Sequence, residues 1–499
     1  MRADETVGYR ADVCNLKPGD YSDVGQASVF AHEYGGNIRF APETGWLFYD
    51  GKRWKESSLD VQACAQELTE RQMIQAGEAC NAAHARGIGA FQAEDSGERH
   101  AAEAEEKEAE KYLKFARSRR RTGAIAATLT EAKPMLQIPL DHLDRDPFLL
   151  NTPGGTVDLR SGRMRAHDPL DFCTKITTVS PDENGREIFD AFLDTLTVGD
   201  NELKAYLQTI AGMFALGAVF SECLTIAYGS GRNGKSTFFN LIGRVLGDYT
   251  GALSAETLTV NCRHNKSPEY AELRGKRFVI AAELEEGMRL DTAVVKKICS
   301  TDTILAEKKY RDPMQFRPSH SVLLFTNHLP KVGTNDAGTW RRLVVIPFCA
   351  SITDDGDRKD FGDYIFRQAG GAALSWVVEG AKRFVEAGYK FDQPRCVREA
   401  IDDYRADNDW LQMFVAECCE KGPYQQSSSS LYARYQDFCL SNKEYCRSAV
   451  DFKRALEGAG YPYKRTRAGV SFQGLRLRQA GFEQTGERTP FEMTQTQLA

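Results

Sequence analysis

The period of apolar and polar positions changes several times along the chain, and each change marks an element. A helical pattern from Ala27 to Tyr34 is followed by IRFAPETGWLFYDG at 38–51, which reads as strand, turn, strand, turn. Gln62 to Arg86 is helical by period. Between Pro147 and Thr174, turn signals punctuate short strands around Thr156-Val157 and Met164, and Asp190 to Phe220 returns to helix. From Leu224 to Phe348, helical segments alternate with four apolar runs: LTIAY at 224–228, RFVIAA at 277–282, SVLLFT at 321–326 and LVVIPF at 343–348. That alternation predicts an α/β core. Helices continue to about Ala387, and Phe391 to Arg395 is the expected linker. A last domain has helices over Asp407 to Cys419, Ser430 to Ser441 and Ser448 to Gly458. Strands over Tyr461 to Arg465 and Ser471 to Leu477 follow, the outline of a winged helix. Leu207 to Tyr228 is apolar enough to raise the question of a membrane span. Ser221, Glu222 and two glycines interrupt it, so it reads as a buried helix feeding a buried strand.

Composition narrows the classes. A chain of 499 residues predicts roughly three domains. Hydrophobic residues at 42% are ample for buried cores. Lys and Arg total 64 against 70 Asp and Glu, a net charge of −6, so any contact with nucleic acid must come from local patches. No apolar run follows a basic start at the amino terminus, so no signal peptide is expected. The 13 cysteines form no CxxC pair, which predicts reduced, mostly buried thiols rather than a disulfide framework or a zinc site. Glu94 to Arg121 is unusually charged, with acids early and bases late. It reads as a solvated helix with Glu103/Lys107 and Glu110/Lys114 at i,i+4, or as a nucleic-acid contact through Arg117, Arg119, Arg120 and Arg121.

The strongest chemical signal is GSGRNGKST, from Gly229 through Ser230, Gly231, Arg232, Asn233, Gly234, Lys235 and Ser236 to Thr237. A buried strand precedes it and a helical run follows. Glycines let backbone N–H groups turn inward around a triphosphate, and the helix amino terminus favours the same charge. Lys235 would reach the β- and γ-phosphates of ATP, and the Ser236 hydroxyl would bind Mg²⁺. Glu283 directly follows an apolar strand, where a Walker-B acid would sit beside the metal and the attacking water; Glu285 and Glu286 stand close by. Asn327 ends the next strand, as a polar sensor of water or γ-phosphate would, although Asn at a strand end is also a turn former. Arg341 and Arg342 lead into the last strand, where a rim guanidinium suits a finger inserted into a neighbouring subunit, or a surface ion pair. Thr303 to Ala306 and Met314 to Phe316 predict a hairpin whose tip carries Lys308, Lys309, Tyr310 and Arg311. Such a tip could grip phosphates of a single strand, or simply be solvated. Phe452 to Arg478 holds seven basic residues against Glu457 alone, which points to DNA through Lys464, Arg465 and Arg467.

The order of these motifs (phosphate loop, EEG, Lys-rich hairpin, TNHLP, WRRLVVIPF) resembles the superfamily 3 helicases. In particular it resembles the primase-helicases of phages, plasmids, satellite phages and poxviruses. Upstream, YSDVGQASVFAHEYGGNIRFAPETGWLFYDGKRW and DPFLLNTPGGTVDLRSGRMRAHDPLDFCTK are similar to that family's leader domain. The resemblance implies an AAA+-like P-loop ATPase core over 191–390. It also implies an α+β leader over 1–125 with a turn-rich continuation over 126–190 and a winged helix over 396–480; the polar tail over 486–499 reads by its composition as disordered. It implies an ATP- and Mg²⁺-dependent DNA helicase, ring-forming and commonly hexameric, moving 3′ to 5′. Such a protein would serve a mobile element in the cytoplasm of a bacterial host, beside a separate primase and without membrane association. The alternative is an ATP-switched replication initiator that selects an origin without processive unwinding; a packaging motor or defence NTPase has no reason to carry the leader. The family's Walker-A Lys and Ser fall on Lys235 and Ser236, its acid on Glu283, its sensor on Asn327, its finger on Arg341 or Arg342. Its intervening Lys falls on Lys296. Cys299-Ser300-Thr301-Asp302 and Ala306-Glu307-Lys308-Lys309 depart from the family's T-G-G-D and A-R-R. Asp144 and Asp146 could mimic a primase metal pair, but they lie at a turn of the leader, and a primase of its own is not expected here.

Overall fold

Short polar turns between aromatic-rich runs fold the amino-terminal part into small antiparallel sheets. The computed structural model describes residues 15–92, 96–260, 262, 265–307, 313–333, 337–352, 360–442, 445–466 and 469–478. In it β1 (Ile38–Ala41), β2 (Gly45–Tyr49) and β3 (Trp54–Glu56) pair in sequence order. The helix Asp23–Tyr34 supplies Phe30 and Tyr34 to one apolar cluster with Ile38 and Trp46 of this sheet and Leu68 of the helix Ser58–Gln92. Ser22 caps the first of these helices by accepting from the Gly25 N–H. The helix predicted over 62–86 therefore runs for 35 residues, and Ser96–Arg119 follows it. The charged segment is this second helix. Its acids pair across to the first, Glu105 with Arg86 at 2.7 Å and Glu106 with His84 at 3.2 Å, and Arg119 and Arg120 pair with Asp23 and Glu70. Two of the four arginines considered for nucleic acid are thus already neutralised within the leader.

A second antiparallel sheet joins β4 (Leu149–Thr152), β5 (Gly155–Asp158) and β6 (Arg163–Arg165). The four apolar runs then form β7 (Leu224–Tyr228), β9 (Phe278–Ala282), β12 (Ser321–Thr326) and β13 (Leu343–Pro347), with β8 (Thr250–Ser254) at one edge. All pair in parallel in the order β13-β7-β12-β9-β8. Every residue of the central β12 is buried, as expected of a parallel strand covered on both faces. Between β9 and β12, β10 (Ile304–Ala306) and β11 (Met314–Phe316) make the predicted hairpin. Its tip, Lys308, Lys309, Tyr310 and Arg311, lies outside the described residues.

The leader is joined to the base of the parallel sheet by buried polar contacts. Arg277, 3% exposed, donates to the carbonyls of Ala215 at 2.8 Å and Leu149 at 2.6 Å, its guanidinium 4.3 Å from the Tyr249 ring centre. Fully buried Asn151 donates to the Lys52 and Lys175 carbonyls, and its own N–H donates to the Tyr249 hydroxyl. These groups stay buried because each finds a partner.

His320, just before β12, is fully buried, and no hydrogen bond of normal geometry reaches its ring nitrogens among the described residues. Burial drives its pKa from 6.5 down to about 4, the nearby Ile298 carbonyl opposing weakly. The unfolded chain therefore binds this proton at a higher pH than the folded one. Stability is complete above pH 6.5 and falls as the pH drops towards 4, by about 3 kcal/mol from this group. Denaturant midpoints measured between pH 7 and 4 should show a shallower fall for His320→Leu than for the parent; parallel curves would refute the assignment.

The chain divides into two compact units, the second starting at Asp402 rather than at 396. The second unit has helices Trp410–Cys418, Ser428–Ser441 and Ala449–Gly458 around a core of Phe414, Tyr435, Phe452 and Phe472. The predicted two-stranded ribbon is instead a three-stranded antiparallel sheet, β14 (Cys419–Ser427), β15 (Tyr463–Thr466) and β16 (Gly469–Leu477), ordered β14-β16-β15. The expected tail at 486–499 lies outside the described residues. Leu207 to Tyr228 resolves into the buried end of helix Asn201–Ala215 and β7, and no helix among the described residues is long and apolar enough to cross a membrane.

Candidate active site

The centre of the site is the turn that leaves β7 and enters the helix Lys235–Leu246 at the carboxyl edge of the parallel sheet, where such sheets bind ligands. Gly229 lies so close to its surroundings that a Cβ would stand 2.3 Å from the Phe348 carbonyl oxygen, and Gly234 has φ +78°. Arg232 takes a left-handed φ of +61° without being glycine. Asn233, 2% exposed, holds this shape by donating to the Ser230 carbonyl at 2.6 Å and the Phe348 carbonyl at 3.1 Å. The loop is thereby tied to the segment after β13, and the Ile352 N–H adds a bond to the Arg232 carbonyl at 2.8 Å.

Lys235 is 5% exposed, and its ammonium donates to the Gly229 carbonyl at 3.0 Å and to Asn327 Oδ1. Burial pushes its pKa below the ordinary lysine range, with the Glu283 carboxylate opposing. Glu283 directly follows β9 with φ +58°, and its N–H donates to the Phe325 carbonyl at 3.0 Å. A left-handed carboxylate of this kind stores on the order of 1 kcal/mol of strain, a cost that recurs at functional sites. A cavity of about 280 Å³ is lined by 231–237, Glu283 and 325–327. It brings together Lys235, Ser236, Thr237, Glu283 and Asn327, all expected from the sequence. Glu285 and Glu286 are exposed and do not line it.

Arg341 and Arg342 stand elsewhere. The Leu224 N–H donates to the Arg342 carbonyl at 2.7 Å, and Leu343 pairs with Leu224, so both arginines precede the sheet's opposite edge. At ~3.3 Å per residue, the five residues of β7 put them roughly 16 Å from the loop of their own chain. Arg342 is tied to Glu222 at 2.6 Å and to the Gly338 carbonyl at 2.8 Å. Arg341 is exposed and makes no ion pair among the described residues. Lys296, half-buried in the helix Thr292–Ile298, lies away from the cavity lining. Asp144 and Asp146 serve separate turns: the first accepts from Thr174, the second caps the Phe148 N–H and pairs with Arg160 at 3.5 Å.

Two comparisons bear on this arrangement. Residues 27–198 match the family described as D5 N terminal like, and residues 227–342 match a family of unknown function, DUF5906. The chain is 31% identical over 220 residues to a putative helicase, L207/L206, of Acanthamoeba polyphaga mimivirus, covering 43% of this chain and 23% of that protein. It is 25% identical over 355 residues to the putative primase C962R of African swine fever virus (strain Badajoz 1971 Vero-adapted), covering 64% and 36%. The putative helicase V13 of Sputnik virophage is 24% identical over 152 residues, covering 29% and 19%. This chain is a superfamily 3 relative of the primase-helicase type. It spans about a quarter to a third of the length of the larger viral relatives. Among solved structures, the C-terminal region of NrS-1 aligns over 60% of this chain and 78% of its own, at 13% identity and a TM-score of 0.39.

Sequence reasoning about this superfamily 3 relative missed Asn233 as the loop's anchor and Glu222 as the partner of Arg342. The first is legible only as a polar residue inside a glycine loop; the second is 120 residues from its partner. In the C-terminal unit, Lys464 and Arg465 are exposed on β15, whereas Arg467 lies outside the described residues. The basic excess there is smaller than its sequence implies. Arg476 pairs with Glu420 of β14 at 2.8 Å, and the Lys453 ammonium lies 3.9 Å from the Tyr463 ring centre.

Proposed function

We propose that this chain is an ATP-driven DNA helicase motor with an AAA+-like P-loop core, working as a ring, most simply a hexamer, with 3′-to-5′ polarity. The observation that carries the reading is one cavity holding a buried ammonium, a strand-end carboxylate and a strand-end amide on three neighbouring parallel strands and the helix after them. The glycine cradle and the cationic, nearly dry Lys235 fit a polyphosphate, and the hydroxyl–carboxylate pair of Ser236 and Glu283 fits a hard cation. Loop 229–237 and Lys235 would hold the phosphates of ATP; Ser236 and Glu283 would hold Mg²⁺. When bound, the metal neutralises phosphate charge. Lys235 would stabilise charge developing on the γ-phosphate, Glu283 would orient and polarise the attacking water, and Asn327 would hold that water or the γ-phosphate. Arg341 supplies the finger in trans, which its exposure and distance from its own loop support. The C-terminal unit would act as a winged helix, with Lys464 and Arg465 on duplex phosphates, and the hairpin Lys308, Lys309 and Arg311 would contact the single strand. The putative-helicase names of the mimivirus and Sputnik virophage relatives support the same role.

A second reading, an ATP-switched initiator that marks an origin, is favoured by the separate C-terminal unit with its exposed basic strand. Strand displacement on a forked duplex distinguishes the two. Release of the labelled strand that requires ATP and Mg²⁺ is expected; nucleotide-dependent footprinting with no release would replace the motor by the initiator.

A further inference from the structure

The C-terminal unit holds a pair of thiols that the reading above leaves unused. The segment 445–447 folds back on one face of the helix Ser428–Ser441. Tyr432 Oη donates to the Arg447 carbonyl at 3.0 Å, and the Arg447 N–H donates to Tyr435 Oη at 3.3 Å. Cys439 Sγ lies 3.9 Å from the Tyr445 carbonyl oxygen, and the Arg447 guanidinium stands 4.3 Å from the Trp410 ring centre. These contacts pin both neighbours of Cys446 to the face that carries Cys439, which places the Cys446 side chain beside the Cys439 thiol. Their exposures differ sharply: Cys439 is 2% exposed, whereas Cys446 is open to solvent. Burial also raises the Cys439 thiol's pKa, which leaves it slower to react with a solute.

We propose that Cys439 and Cys446 are a reversible oxidation site, Cys446 meeting the oxidant and Cys439 resolving it as an intramolecular disulfide. With hydrogen peroxide as oxidant, the Cys446 thiolate attacks one peroxide oxygen. An S–O bond forms, the O–O bond breaks, and hydroxide leaves to become water on protonation. The Cys439 sulfur then attacks the Cys446 sulfur; the S–S bond forms, the S–O bond breaks, and the oxygen departs as a second water with the Cys439 proton. Two thiols are oxidised by two electrons and one peroxide is reduced to two waters. A dithiol reverses the step by exchange. The bond closes the chain across the turn that leads into the helix Ala449–Gly458, and so fixes how that helix enters the unit. The inference stands on the C-terminal unit alone, independently of the nucleotide site.

The test treats the purified full chain with hydrogen peroxide, alkylates free thiols after unfolding, and maps tryptic peptides by mass spectrometry. The peptide ending at Lys443 should appear joined to the one ending at Arg447, and dithiothreitol should separate them. Cys446→Ser, at an exposed position, should abolish the joined species and leave Cys439 fully alkylated. Cys439→Ser should leave Cys446 as a sulfenic acid that dimedone traps, with circular dichroism as the folding control; if that variant does not fold, Cys446→Ser decides. Three results each overturn the proposal: an inert Cys446, Cys446 carrying oxygen adducts beside a fully alkylated Cys439, or either cysteine joined to a different one.

Discussion

Replacing Lys235 with alanine is expected to lower ATP turnover by at least ~100-fold while leaving the fold in place, because its ammonium is the cation buried in the cavity where γ-phosphate charge would develop. Removing one preorganised donor to a transition-state charge costs on the order of 3 kcal/mol, and more where water is excluded. The folded state has less to lose. Among the described residues the ammonium donates only to the Gly229 carbonyl and Asn327 Oδ1, and its own burial is unfavourable, as its lowered pKa reports. The melting temperature should therefore move by no more than about 4 °C, a change of roughly 1 kcal/mol or less in a unit of this size. Lys235→Arg should fail nearly as badly, since a planar guanidinium needs more room than a side chain 5% exposed possesses. Because the charged form is the working one and burial lowers this ammonium's pKa, the rate should fall with rising pH below the ordinary lysine range. Steady-state phosphate release and thermal melts on the same preparations check these outcomes. Undiminished turnover in Lys235→Ala would remove the ATPase assignment.

What the amino-acid order made visible, and what it hid, follows from how local each signal is. The parallel strands were legible because strands buried on both faces are unbroken apolar runs, and SVLLFT at β12 is the extreme case. The nucleotide loop was legible because its glycines and lysine are contiguous. The edge strand β14 was not. Its residues, CEKGPYQQS, are mostly polar and include Gly422-Pro423, and its pairing register shifts between Lys421 and Gln425. Proline belongs at edges and bulges, where one side of the strand needs no N–H partner, so β14 reads as a loop until its neighbour is known. Arg277 and Tyr249 were also hidden. The arginine opens an apolar strand and resembles a solvated strand end, yet its carbonyl partners at Leu149 and Ala215 come from distant segments. The finger arginines fall between these cases: their motif is local, but which one is free depends on Glu222.

That difference predicts opposite failures for Arg341 and Arg342. Arg342→Ala removes the ion pair that holds Glu222 in a half-buried setting, together with the bond to the Gly338 carbonyl, so it should destabilise by about 2 kcal/mol and lose activity together with stability. Arg341→Ala touches no ion pair among the described residues and should keep the parent's melting temperature while turnover falls ~1,000-fold, the scale of a lost finger. Nucleotide affinity should change little, because the finger acts on the charge of the transition state. The decisive experiment mixes two inactive proteins. Each catalytic centre would take Lys235 from one subunit and Arg341 from the next. Random co-assembly of Arg341→Ala with Lys235→Ala in equal amounts should restore intact centres at roughly a quarter of the interfaces, as a head-to-tail ring requires. Activity in the mixture well above the sum of its parts would mean that both residues serve one centre from different chains. If no mixing ratio restores turnover while native mass spectrometry shows mixed rings, Arg341 does not act across the interface, and the trans-finger reading fails while the nucleotide site is judged separately by Lys235→Ala.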